Sequence, residues 1–395
     1  MTNAMHVNPG QAIRHITLTL EGYFHLRAQG QKIKMPSMYL QGEPGVGKTS
    51  IARAVAKHFN YLLVEISANQ SNPDDVAGIR MPNVETKTTD WFPPSWMPTG
   101  GKIEVDGHVY DGVLLFFDEL SAADDRVRKP LFSTFLEYSL NGVDLPENTI
   151  VMGAGNDTET GTMVFDLDNA TRSRLTTLII KADLTSWLSD YAALNDFSPT
   201  VAAVLKNNIG IFCETTEALQ RQDEIYGNPR NWERCSDVER VIMLKPEHRK
   251  DEDRRAALKA MVAGRVGLAN AETYDAVFET VAQSATLFDI LEAKRKGMNI
   301  RPLLPEQISQ LSALSFSMMA YPISIETAQE VFAIMDDFPE DHALPLRDSI
   351  PAIQETVLKK LRKAGFKDKD LKVFQASVSS TAEEFHDGPI FSIEI

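Results

Sequence analysis

Gly42-Glu43-Pro44-Gly45-Val46-Gly47-Lys48-Thr49 follows the short apolar run Met38-Tyr39-Leu40 and precedes a helical pattern from Ser50 to Lys57. This is the spacing GxxxxGK[ST] in the setting it needs, a strand before and a helix after. The glycines let backbone N–H groups curl round a polyphosphate without Cβ obstruction, and the new helix offers free N–H groups and its positive dipole end. Gly42, Glu43, Pro44, Gly45, Val46, Gly47, Lys48, Thr49 and Ser50 are therefore the expected nucleotide cradle. Lys48 is expected at the β- and γ-phosphates, and the Thr49 hydroxyl on Mg²⁺.

A chain of 395 residues with 43% hydrophobic content has room for two or three domains. No stretch reaches the ~18 apolar residues of a membrane span. The start Met1-Thr2-Asn3-Ala4-Met5-His6 has neither a basic region nor an apolar signal core, so the expected location is the cytoplasm. Cys213 and Cys235 form no metal-ligand spacing, and the eight histidines are scattered without an HxH or HExxH pattern. The net charge of −15 weighs against a surface built to wrap nucleic acid, which relies on Lys and Arg to neutralise phosphates. A locally basic pore remains compatible with it.

Outward from the loop, residues 8–28 read as a helix. Asn8 is its cap, Pro9 suits the first position, Gln11 completes a box-like pattern, and Ile13, Ile16, Leu20 and Phe24 share one face. Residues 61–66 read as a second strand. Asn72 to Arg80 reads as a capped helical turn interrupted by Gly78, and residues 81–111 as irregular and rich in Pro, Gly and aromatics. The cluster Trp91-Phe92-Pro93-Pro94-Ser95-Trp96 fits either a grip on a partner or a small satellite core.

Gly112-Val113-Leu114-Leu115-Phe116-Phe117-Asp118-Glu119-Leu120 carries the second chemical motif. A continuous apolar run suits a central parallel strand buried on both faces. Its two carboxylates then sit in the crevice where open α/β sheets bind ligands. Asp118 is expected to hold the Mg²⁺ shell and Glu119 to polarise the attacking water. A helix over 124–140 with Pro130 near its first turns or at a kink, a turn at Asn141-Gly142, and a buried strand ending at Asn156 follow. Asn156 alone would read as a strand-ending Asx turn; in this strand order it reads as orienting the hydrolytic water beside Glu119.

Arg172 and Arg174, ahead of a strand over 176–180, are either surface charges or an arginine finger given across a subunit boundary. From Leu184 the pattern is helical. Asn228 and Pro229 open a helix that puts Arg230 in its first turn, an unfavourable place for a cation unless it faces a phosphate. Residues 254–293 read as helical with a tight join at Gly264 and Gly267, and Pro302, Pro305, Pro322, Pro339 and Pro345 punctuate shorter helices. Lys359-Lys360-Leu361-Arg362-Lys363 reads first as a solvated basic face, and the last twenty residues as a strand or tail.

The order of these motifs resembles an AAA+ ATPase, most closely the MoxR-like group within the clade carrying an insertion in the second helix. The matching stretches are GEPGVGKT at 42–49, GVLLFFDEL at 112–120, IVMGAGN at 150–156, NATRSRL at 169–175 and NPRNW at 228–232. The interrupted helix at 72–80 falls where that insertion would lie. The resemblance covers about residues 8–270.

It implies an α/β fold: an AAA+ P-loop NTPase core with a parallel sheet over residues 1–182. An all-α lid over 183–284 and a mainly α C-terminal region over 285–395 follow. It also implies ATP and Mg²⁺ as ligands, Glu119 as catalytic base, Asn156 as sensor 1 and Arg230 as sensor 2. Arg174 is the first choice for the finger and Arg172 the second. The implied assembly is a ring, a hexamer, acting on a protein client, such as a von Willebrand factor A domain protein, with no membrane. Ser121 departs from the pattern, which often has Asn there, and residues 285–395 match nothing in it. The competing readings are a nucleic-acid-linked motor or loader and an ATP-dependent assembly scaffold, the latter disfavoured by an intact Glu119.

Overall fold

The computed structural model describes residues 5–101, 103–156, 173–335, 337–338, 349–367, 369–372 and 374. The chain divides into two compact units, Met1–Ala182 with Thr215–Glu224, and Asp183–Glu214 with Ile225–Ile395.

The first unit is built on a six-stranded sheet. Its strands are β1 (His6–Val7), β2 (Met38–Gly42), β3 (Tyr61–Ser67), β8 (Gly112–Asp118), β11 (Thr149–Gly155) and β12 (Thr176–Ile180). They lie in the order β1-β12-β2-β11-β8-β3, every pair parallel. After β2 the chain crosses to the far edge, returns through β3, β8 and β11, and then passes to the other side of β2 at β12. The direction of winding reverses at β2. Open sheets of this kind bind ligands outside the carboxyl ends of the strands at such a reversal, which is where the phosphate loop begins.

Both faces of the sheet are covered, and this explains the uninterrupted apolar run of β8. Leu114 and Phe116 pack with Ile16 and Leu20 of helix α1 (Pro9–Ala28) and Ile51 and Val55 of helix α2 (Lys48–His58). Val113, Leu115 and Phe117 pack on the opposite face with Leu131 and Phe135 of helix α4 (Asp125–Glu137). Successive residues alternate between two buried faces, so neither face leaves a polar position in the sequence.

Helix α1 starts as its residues dictate. Gln11 N donates to Asn8 Oδ1 at 2.8 Å, Asn8 N donates to Gln11 Oε1 at 3.0 Å, and Pro9 takes the first turn. Pro130 lies inside α4, in the second turn, near the first turns as expected. Asn141 and Gly142, with φ of 49° and 81°, form the two-residue turn joining β9 (Ser139–Leu140) to β10 (Val143–Asp144). Positive φ at both central residues is what a tight hairpin of this twist requires.

The stretch 81–111 is not irregular as expected. It forms two antiparallel hairpins, β4 (Ile79–Asn83) with β5 (Thr88–Phe92) and β6 (Ile103–Val105) with β7 (His108–Tyr110). Most of their residues are exposed on both faces, so no alternation of apolar and polar residues marks them in the sequence. Helix α3 (Pro73–Ala77) precedes them and ends at Gly78. The two tryptophans take the satellite-core alternative: Trp91 Nε1 donates to Ala77 O and Trp96 Nε1 to Asp75 O, each at 2.9 Å, and both pack against the α4 side of the core. Phe92 stays exposed.

The second unit is helical. Helices run over Pro199–Asn207, Pro229–Ile242, Glu252–Val266, Leu268–Ala282, Leu287–Arg295, Ile308–Ala320, Ile325–Met335 and Ile350–Lys363. The join between the third and fourth is Gly267, at φ 89°. Pro302, Pro305 and Pro322 fall between α-helices, while Pro339, Pro345 and the last twenty residues lie outside the described residues. Trp232, Tyr274 and Phe316 are among its fully buried side chains.

Glu239 is buried among them. It accepts from Ser198 Oγ at 2.6 Å, Tyr274 Oη at 2.7 Å and Thr200 Oγ1 at 3.0 Å. The lysine run is only partly a solvated face. Lys359 pairs with Asp190 and Glu355, and Lys360 is partly buried and donates to Ala320 O, with burial holding its ammonium below the ordinary lysine range. Among the described residues no helix is long and apolar enough to cross a membrane.

Candidate nucleotide site

Three neighbouring strands deliver the polar groups to one edge of the sheet. Gly42 ends β2, residues 43–47 form the loop, and Lys48, Thr49 and the exposed Ser50 open α2. Gly47 caps that helix at φ 98°, a left-handed conformation that glycine adopts without the steric cost of a side chain. Asp118 ends β8, Glu119 follows it, and Asn156 is the first residue after β11.

Lys48 is 8% exposed, yet its ammonium is well satisfied. Nζ donates to Gly42 O at 2.7 Å, to Glu43 O at 3.0 Å and to Asn156 Oδ1 at 3.0 Å. A lysine buried to this degree needs such partners. Thr49 Oγ1 donates to Asp118 Oδ2 at 2.9 Å, so a hydroxyl oxygen and a carboxylate oxygen lie side by side. Two hard oxygen donors next to a phosphate-binding loop suit Mg²⁺, which takes few protein ligands and completes its shell with water and phosphate oxygens. Among the described residues no group of three or more His, Cys, Asp or Glu could hold a metal by itself. The residues present therefore fit Mg²⁺ bound together with a nucleotide.

Glu119 has φ 56° and ψ 30°, left-handed for a residue with a side chain, and its N–H donates to Asp118 Oδ1 at 2.9 Å. Such a conformation costs on the order of 1–3 kcal/mol and persists only where surrounding contacts hold it. Here the turn Leu120–Ala122 follows at once, with Leu120 and Ser121 both buried. The Ser121 hydroxyl accepts the backbone N–H of Asn156 at 3.0 Å. The sequence marked Ser121 only as a departure from a family pattern; nothing in its spacing pointed to this bond.

A second partner was also invisible in the sequence. Thr216 Oγ1 donates to Glu43 Oε1 at 2.9 Å, from a helix over Thr215–Arg221 that lies in the segment Thr215–Glu224 of the first unit. A contact 173 residues apart leaves no local signal.

Arg174 is exposed in the turn before β12, with Nη1 3.5 Å from Glu137 Oε1 at the end of α4. Arg172 lies outside the described residues. Arg230 is exposed in the first turn of the helix Pro229–Ile242, whose cap is the expected one: Asn231 N donates to Asn228 Oδ1 at 2.9 Å.

The site thus combines an anion cradle, a fixed cation, two hard oxygens and a carboxylate-bearing turn, an arrangement able to bind and polarise a polyphosphate. Solved structures similar to the chain include the RuvB Holliday junction branch migration motor of Thermotoga maritima. Identity is 15%, 76% of this chain and 86% of that one are covered, and the TM-score is 0.32. A mutant form of the same RuvB gives 16%, 79%, 83% and 0.34. A candidate ATPase of Cytophaga hutchinsonii gives 13%, 58%, 76% and 0.28. No curated protein matches the chain. Residues 38–182 match the model of the ATPase family associated with various cellular activities (AAA), and the parallel sheet and phosphate loop described above are those of the AAA+ P-loop NTPase fold.

Proposed function

We propose that the chain is a MoxR-like ATPase that hydrolyses ATP at the subunit boundaries of a cytoplasmic ring, a hexamer, to remodel or activate a partner protein. The observation that carries this reading is the convergence of Lys48, Thr49, Asp118 and Asn156 on one sheet edge, with Glu119 held beside them in a strained turn.

In this reading Gly42 to Ser50 cradle the phosphates and Lys48 fixes the β- and γ-phosphoryl oxygens. Thr49 and Asp118 would hold Mg²⁺, which supplies charge neutralisation on the phosphates when bound. Glu119 accepts the proton of the attacking water, and Asn156 orients that water. Arg174, or else Arg172, is the finger given to the next subunit's site. A finger acting only in trans requires a head-to-tail interface, and such interfaces close into rings or extend as spirals. Residues 183–284 serve as the lid, with Arg230 as its sensor. Residues 285–395 and the hairpins after α3 are the candidate contacts for the client, for which a von Willebrand factor A domain protein is the resemblance-based choice.

The net charge of −15 disfavours the alternative of a nucleic-acid-linked motor. An assembly scaffold would have no need of Glu119. The test is capture of partners by Glu119→Gln loaded with ATP, alongside ATPase assays with and without nucleic acid. A co-purifying protein that is released on hydrolysis in the unmutated chain supports the reading. Strong stimulation by nucleic acid with no protein client would replace it by the motor.

A further inference from the structure

We infer that Ser121 is a positioning residue of the proposed hydrolysis, holding the backbone of Asn156 in register with the turn that carries Glu119. The inference rests on the hydrolytic reading above. Its geometry comes from how that turn docks on β11.

Strand β11 pairs with β2 as far as Gly155 and with β8 as far as Gly153, so the N–H of Asn156 lies beyond the ladder on both sides. A backbone donor in this position needs an acceptor from elsewhere. The Ser121 hydroxyl is that acceptor, at 3.0 Å, from a side chain only 2% exposed.

The two glycines of β11 make the docking possible. A Cβ on Gly153 would lie 2.7 Å from Leu120 Cδ1. One on Gly155 would lie 2.7 Å from Ser121 Oγ and would overlap the Tyr39 hydroxyl. Leu120 and Ser121, the two residues that follow the acidic pair, therefore rest directly on the strand backbone. Ala122 N donates to Glu119 O at 3.0 Å, which closes the turn and ties Glu119 to the docked segment.

The path is short and continuous. Glu119 is fixed by the turn, the turn by Ser121 on Asn156 N–H, and the Asn156 amide oxygen by Lys48 Nζ at 3.0 Å. Ser121 touches no reacting atom in this scheme. It acts through Asn156, keeping the water-orienting amide and the base in one frame.

The test is steady-state ATPase kinetics, nucleotide affinity and thermal stability of Ser121→Ala, Asn156→Ala and the double variant. One lost hydrogen bond at a reacting site corresponds to a fall in kcat of about tenfold. We expect that fall in Ser121→Ala with KM and nucleotide affinity little changed, and a double variant no slower than Asn156→Ala alone. Ser121→Cys, close in volume but a poor acceptor, should fold and show the same loss; it stands in if Ser121→Ala does not fold.

Unchanged kcat in Ser121→Cys or Ser121→Ala beside an impaired Asn156→Ala overturns this inference and leaves the hydrolytic reading standing. Multiplicative losses in the double variant overturn it too, because Ser121 would then act independently of Asn156. Full turnover in Asn156→Ala itself removes the sensor role on which the inference depends.

Discussion

The ammonium of Lys48 and the amide oxygen of Asn156 lie 3.0 Å apart, joining the phosphate loop to the end of β11 across 108 residues of sequence. With the carbonyls of Gly42 and Glu43 as its other partners, Lys48 holds the loop and strand end together where a phosphate would sit. A bound phosphate would give this cation an anionic partner, and charge-assisted bonds to it are worth roughly 1.5–3 kcal/mol each.

Lys48→Ala should therefore lose about a hundredfold or more in nucleotide affinity, taking two such bonds as the loss. Titration of a fluorescent ATP analogue measures it. Retention of tight binding would remove Lys48 from the phosphate site.

Glu119→Gln separates binding from turnover. The side chain keeps its size and the left-handed turn is unaltered, so nucleotide affinity should stay within a fewfold of the unmutated chain. General-base catalysis contributes about 10²–10⁴ in rate, and hydrolysis should fall on that order. Near-normal turnover in a phosphate-release assay would deny Glu119 the role of base.

Much of this site was legible because its residues sit at the ends of elements with strong local signatures. Asn8 with Pro9 caps a helix, the run 112–117 suits a strand buried on both faces, and Gly42 to Thr49 needs a strand before it and a helix after it. The parts that stayed hidden depend on contacts between distant segments. The bonds of Ser121 to Asn156 and of Thr216 to Glu43 have no periodicity to announce them. The hairpins β4–β5 and β6–β7 escaped for another reason: strands exposed on both faces carry no alternating pattern, and only turn residues such as Asp106 with Gly107 hint at them. Lys360 was misread because a lysine can bury its stem and still place its ammonium on a carbonyl, here that of Ala320.

Arg174→Ala tests the proposal of a site shared between subunits. Arg174 is 62% exposed at its side chain and engages Glu137 at 3.5 Å, a surface pair worth little to stability, so the variant should fold normally. Its ATPase activity should drop by about 10³–10⁵, the range for fingers acting in phosphoryl transfer. Mixing it with Lys48→Ala should restore part of the activity, because each variant supplies what the other lacks. Mixed rings, verified by differential tags, that show no recovery at any ratio would deny Arg174 a role in trans.

Glu239 gives a prediction in the second unit that is independent of nucleotide. Its carboxyl is fully buried, and desolvation pushes its pKa up despite the hydroxyls of Ser198, Tyr274 and Thr200, which favour the ionised form. A carboxyl whose folded pKa lies above its unfolded value of about 4.3 binds its proton more tightly in the folded state. Its contribution to stability is then fully present below that unfolded value and is lost as pH rises through the folded one. Glu239→Gln keeps a neutral side chain at every pH and has no such dependence. The stability difference between the unmutated chain and Glu239→Gln should therefore move in favour of the variant as pH rises from about 4 toward 8, followed by urea denaturation at several pH values. A difference that stays constant across this window, or moves toward the unmutated chain, would mean that the three hydroxyls outweigh burial and that Glu239 is held as the carboxylate.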